Sequence, residues 1–224
     1  MIKANIKKDV QEEIEAVSSV SSNHIYSDQQ IESVKDLLNS IVPKEINSRS
    51  LVLVDTLINY YVDEITPEID TLDADKQKAF YSQNLSSKIR AWAKETENSL
   101  KLNPEAVQYS NDPRNVYASK QSAFQFLAGS GITAIAWYFD PTKKISLIVG
   151  GLVTAAATAY IFKSSYEKAE PRARKQIEID VKDYLNKAEK QMTDWLLKVS
   201  DEFEREFERF CNQHSISFDK KDNS

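Results

Sequence analysis

The stretch QSAFQFLAGSGITAIAWYFDPTKKISLIVGGLVTAAATAYIF, residues 121–162, decides how the chain is read. Residues 121–139 and 145–162 carry no charged side chain, so two uncharged runs of 19 and 18 residues flank a short charged tip at 140–144. At ~1.5 Å per residue, each run as a helix measures close to the ~30 Å hydrocarbon core of a bilayer. Asp140 and Pro141 end one run and start the next, because aspartate caps a helix and proline lacks an N–H that the first helical position leaves unused. A connection this short favours two antiparallel helices. The stretch therefore reads as a transmembrane helical hairpin.

Phe124, Phe126, Leu127, Ile132, Ile135 and Trp137 in the first arm are its expected lipid-facing residues, with Ile145, Leu147, Ile148, Val149, Leu152, Val153 and Ile161 in the second. Lys120 and Lys163 bracket the arms at one end and Lys143 and Lys144 at the other. Trp137, Tyr138, Phe139, Tyr160 and Phe162 lie near the arm ends, where aromatics favour the membrane interface. Ser130 and Ala134 in one arm, and Gly151, Ala155 and Ala159 in the other, form an expected seam of small residues that lets two helix backbones approach in lipid. The alternative is a hairpin buried in a soluble bundle, where the same small residues would simply pack.

Outward from the hairpin, Arg114, Lys120, Lys163, Lys168, Arg172, Arg174 and Lys175 crowd its flanks and outnumber the lysines at the tip. Positive-inside bias then places both flanks of a membrane protein in the cytoplasm, the alternative being a soluble cytoplasmic form that inserts later, and the cluster is of a kind that attracts anionic lipid or else forms a solvated face. Asp112 and Pro113 repeat the capping device at the start of the first arm. The whole chain has only four glycines, Gly129, Gly131, Gly150 and Gly151, all within the arms. Loops and strand corners usually need glycine, so its scarcity elsewhere argues for long helices.

Apolar spacing supplies those helices. Ile2, Ile6, Val10, Ile14 and Val17 share one face, weakened after Ser18. Ser27 with Gln30 has the spacing of a capping box, followed by a helix ending at Pro43. Residues 46–65 read as a buried helix ending before Pro67, and residues 75–102 as one amphipathic helix stopped at Asn103 and Pro104. After Pro171 a long stripe holds Ile177, Val181, Leu185, Met192, Trp195, Val199, Phe203 and Phe207 at steps of three, four and seven. Such a face needs helical partners, either within the chain or from a second copy.

The expected fold is all-α, an antiparallel helical bundle or coiled coil around the hairpin. Its divisions are an N-terminal helical region at 1–112, the hairpin at 113–168, a long amphipathic helix at 169–214 and a polar tail at 215–224. The N-terminus becomes charged where a secretory signal needs its apolar run, so no cleaved signal is read. A net charge of -5 over 224 residues offers no basic field for nucleic acid. Cys211 is the single cysteine and cannot form an internal disulfide. Phosphate loops, His-Glu-x-x-His helices and nucleophile elbows are missing from the sequence. His24 and His214 stand far apart in polar surroundings. The carboxylates among residues 201–208 read as the wet face of a helix. No catalytic, cofactor or metal residues are expected, and neither is enzymatic activity.

A helical bundle carrying a spanning-length hairpin with a charged tip resembles, in outline, the pore-forming domains of colicins and other α-helical toxins. It departs from them in the roughly sixty residues that follow the hairpin. Three functions fit this reading: a membrane-inserting protein that forms pores or perturbs the bilayer through oligomerisation, a passive anchor presenting a helical scaffold to a protein partner, or a soluble helical adaptor. The polar and glycine content of the first arm, with Gln121, Gln125, Ser130 and Thr133, favours the first. The expected partners are the lipid bilayer and a second copy or another helical protein.

Overall fold

The structure, a computed structural model, describes residues 1–97, 107–124 and 144–217, with the side chains of 97 and 144–154 outside the description. All regular structure among these residues is helical: α1 (Ile2–Ile25), α2 (Ile31–Ile69), α3 (Ala74–Gln83), α4 (Leu85–Glu97), α5 (helical over 113–124), α6 (Lys144–Lys168) and α7 (Glu170–Gln213). The chain divides into two compact units. The first holds residues 1–24, 36–108 and 181–224, and the second holds residues 25–35 and 109–180.

The first unit is a helical bundle built on three long stripes. On α1, Ile2, Ile6, Val10, Ile14 and Val17 are buried, and Ser21 continues the face by donating its hydroxyl to the Val17 carbonyl at 2.8 Å. The helix thus passes through the polar stretch after Ser18 that weakened the pattern, because only Ser21 of that stretch has to enter the core. On α7, Val181, Leu185, Met192, Trp195, Val199 and Phe203 are buried, each side chain adding roughly 1.5 to 3 kcal/mol of apolar burial where it is large. Phe207 is half-buried and meets Phe80 of α3 edge-on at 6.2 Å.

Helix α2 overturns two expected stops, since Pro43 and Pro67 both lie inside it. An interior proline costs about 3 kcal/mol through a lost hydrogen bond and a clash with the carbonyl four residues back. Here Val34, Leu38, Val42, Ile46, Leu53, Leu57, Tyr61, Ile65 and Ile69 are all buried, in one helical register on both sides of Pro43. Breaking the helix there would throw half of that stripe out of the core, so packing outweighs the proline. Pro67 falls within the last turn of the helix.

The region expected as one helix from residue 75 is two. Asn84 adopts a left-handed conformation with φ 49°, and its N–H closes α3 by donating to the Tyr81 carbonyl. The Asn84 carbonyl then accepts from Ser87 and Lys88, so the same residue opens α4. Asparagine tolerates this backbone better than most residues. Asp73 caps the start of α3 through the Lys76 N–H at 2.9 Å. The expected stop at Asn103 and Pro104 lies outside the described residues. The expected capping box is also corrected: α2 starts at Ile31, with the Gln30 carbonyl accepting from Val34.

Polar contacts set the neighbours within this unit. Tyr60 donates to Asp9 at 2.8 Å, and Arg49 pairs with Glu13, joining α2 to α1 in antiparallel order. Tyr61 stacks on Phe203 at 4.5 Å and places its hydroxyl 2.6 Å from Ser200, joining α2 to α7. Trp195 donates its indole N–H to Thr96 at 3.2 Å, and Arg90 pairs with Asp55 at 2.6 Å, seating α4. Glu202 corrects the reading of residues 201–208 as a wet face throughout, because it is buried and paired with Arg205.

Candidate functional site: a polar knot and the exposed part of α6

The second unit gathers the α1–α2 turn, the start of α2, the segment before α5, α5 itself, α6 and the first turns of α7. Its base is a polar knot. The Asp112 carboxylate caps α5 through the Arg114 N–H at 2.9 Å, as the Asp-Pro pair implies, and also receives the Arg114 guanidinium at 2.6 Å. The guanidinium reaches Glu32 at 2.6 Å and lies over the Tyr166 ring at 4.4 Å from its centre. Arg114 thus pins α5 to the start of α2 and to α6.

The charges in this knot stabilise one another. Burial alone would lower the Arg114 pKa and raise that of Asp112, yet the pairing outweighs it, leaving Arg114 above and Asp112 below its ordinary value. Glu32 is also held below its usual value, first by a backbone hydrogen bond and then by Arg114. A second arginine, Arg174, donates to the Gln29 carbonyl at 2.8 Å, to the Ile25 carbonyl and to Glu170 at 2.6 Å. It thereby satisfies the Ile25 carbonyl that the end of α1 leaves without a helical partner, and the Gln29 carbonyl of the turn before α2. Asp180 is buried, accepting from the Ser110 N–H and hydroxyl, both at 2.8 Å, and from Gln176 at 3.0 Å. Tyr26 donates to Glu178 at 2.7 Å.

This corrects the reading of the basic flank. Arg114 is 6% exposed and Arg174 is engaged by a carboxylate and two carbonyls, so neither offers an unsatisfied charge to a membrane. Lys120, Lys163, Lys168 and Arg172 are exposed. Arg172 lies over the Tyr117 ring at 4.4 Å, which fastens α5 to α7.

Above the base the character changes. On α6, Ala155, Ala156, Ala157, Ala159, Tyr160 and Phe162 are exposed, with Ile161 half-covered, and Phe124 on α5 is 71% exposed. Consecutive helical residues point about 100° apart, so exposure of 155, 156 and 157 together means that α6 is uncovered on more than one face. Of the expected lipid-facing residues, Phe124 and Ile161 belong to this zone. Phe126, Leu127, Ile132, Ile135 and Trp137 lie outside the described residues, as do residues 140–143 of the tip and the side chains of Lys144, Ile145, Leu147, Ile148, Val149, Leu152 and Val153. Of the expected seam, Ala155 and Ala159 are exposed, while Ser130, Ala134 and the surroundings of Gly151 lie outside the description. Ile177 of the long stripe is buried within this unit.

No helix among the described residues is long and apolar enough to cross a membrane. The described residues hold no group of three His, Cys, Asp or Glu side chains able to bind a metal ion. Tyr117 and Tyr166, the rings that seat the two arginines, escaped the sequence reading, because a tyrosine on an amphipathic helix carries no mark of a cation partner from a distant segment. Comparison of the chain with protein families, characterised proteins and solved structures gives no match in any of the three.

Proposed function

We propose that this protein inserts its helical hairpin into a lipid bilayer and perturbs or permeates it through self-association, with the polar base and the helical bundle remaining in water. The observation that carries the reading is the uncovered apolar stretch of α6 above a satisfied polar base. A helix apolar all round is ordinarily covered by a protein core or by lipid. The other described residues leave this part of α6 uncovered, and we take a bilayer as its cover. The uncharged run at 145–162 has spanning length, and the flanking lysines and aromatics sit where a bilayer interface would meet them.

The test is membrane fractionation with carbonate washing and dye release from liposomes, measured on one preparation. Retention with release supports insertion with permeation, and retention without release reduces the reading to an anchor. The adjacent exposed pair Leu51 and Val52 on α2, 41% and 58% exposed, would then be the place to look for a protein partner of the bundle. Val149→Arg, at the sequence centre of the second arm's most apolar part, should cost roughly 2.5 to 3.5 kcal/mol of insertion free energy. Wild-type protein that washes off membranes and releases no dye would end the proposal.

A further inference from the structure

We infer that Lys120, Lys163, Lys168 and Arg172 form a collar selective for anionic lipid headgroups at the foot of the hairpin. The inference rests on the bilayer reading above and adds to it the class of lipid. Residues 25–35 and 109–180 carry ten basic and eight acidic side chains, whereas the chain as a whole has a net charge of -5. The structure then sorts those charges. Asp112 and Glu32 are taken by Arg114, Glu170 by Arg174, and Glu178 by Lys175 and Tyr26, while Asp180 is buried against Ser110 and Gln176. Five of the eight acids are consumed inside the unit, Asp28 and Glu167 are exposed and Asp140 lies outside the described residues, while the four cations of the collar face solvent with no ion pair among the described residues.

The two stacked pairs fix where the collar lies. Arg114 on Tyr166 and Arg172 on Tyr117 hold the lower turns of α5 against α6 and α7. Lys120 and Lys163 each stand three residues, about one turn, beyond those pinned tyrosines toward the apolar arms. Lys168 and Arg172 lie on the water side of the same junction. A bilayer that took up the exposed zone of Phe124, Tyr160 and Phe162 would therefore bring its headgroups to this level.

A lysine near an anionic membrane surface strengthens binding about 5-fold. The test is flotation of the full-length protein with neutral phosphatidylcholine vesicles and with vesicles containing phosphatidylglycerol. The wild type should bind the anionic vesicles at least about 10-fold more tightly, and raising salt from about 0.1 M to about 1 M should erase the preference by shortening the screening length from ~10 to ~3 Å. Lys120→Gln, Lys163→Gln and Lys168→Gln together should remove about 10-fold or more of the anionic binding and leave neutral binding unchanged. Arg172 is kept in that variant because it seats α5. A control with Lys182→Gln, Lys187→Gln and Lys190→Gln, exposed on α7 in the other unit, changes net charge equally and should bind as the wild type does. Equal wild-type binding to both vesicles, or equal losses in the two variants, overturns the collar and spares the hairpin reading. Binding to neither vesicle overturns both. The comparison of the two vesicles with wild-type protein can overturn the collar even if a variant misfolds.

Discussion

Replacing Arg114 with methionine probes the polar knot that joins α5 to α6 most directly. The side chain is 6% exposed and bridges Asp112, Glu32 and the Tyr166 ring. Removing one partner of a fully buried ion pair costs about 3 to 5 kcal/mol, most of it from the charge left behind. Two features reduce that figure here. Glu32 has a side chain 66% exposed, so its share is that of a surface pair, about 0 to 1 kcal/mol. Asp112 keeps its bond from the Arg114 backbone N–H and is partly reached by water. The expected loss is about 2 to 3 kcal/mol at neutral pH, or roughly 30- to 150-fold in the opening of α5. Hydrogen exchange of the amides in 113–124 and 155–168 measures that opening.

The pH dependence carries its own sign. Asp112 and Glu32 both have folded pKa values below their unfolded ones. Their stabilisation is complete above the unfolded values near ~4 and is lost as pH falls through the folded ones. The gap between wild type and Arg114→Met should stay constant from about pH 7 to about pH 5 and narrow in stronger acid, as protonation removes the stranded carboxylate. A change in exchange below about 2-fold, or a gap that widens in acid, would refute the reasoning.

The remaining expectations concern the bundle. Trp195→Ala with Phe203→Ala, at 3% and 1% exposed, should cost about 3 to 5 kcal/mol for each ring, and unchanged urea unfolding of the double variant would remove the stripe from the core. Asn84→Ala should lose about 1 kcal/mol because alanine lacks the local polar contacts by which asparagine tolerates a φ of 49°, while Asn84→Gly, with no β-carbon, should not, a contrast that thermal melting can check. Cys211 is 9% exposed and burial pushes its thiol pKa up to about 11, so a thiol reagent at neutral pH should label it only on unfolding; fast native labelling would place it at the surface. With Cys211 replaced by serine, cysteines at Thr142 and Ser99 should label from opposite sides of a bilayer, and labelling of both from one side would exclude a spanning hairpin.

Helical class was legible before any coordinates, because burial on a helix repeats every three to four residues and leaves that period in the chain. Ile2 to Val17 and Ile177 to Phe203 could be followed residue by residue for this reason. Capping at Asp112 was equally local, since it needs only a carboxylate and the next few N–H groups. What the chain alone misjudged depended on distant partners. Pro43 looked like a stop because its cost is local, whereas the compensation comes from the buried stripe on either side of it. Asn84 looked like one more helical position because nothing in its neighbours announces a left-handed turn.

Charge was the least legible property of all. Arg114 and Lys120 look alike as cations beside an apolar run, yet one is neutralised by Asp112 and Glu32 and the other faces water. Glu32 lies 82 residues from Arg114 in sequence. Which charges are spent inside the protein and which remain for a partner was therefore decided by tertiary structure, because an ion pair depends on distance in space and a sequence records only distance along the chain.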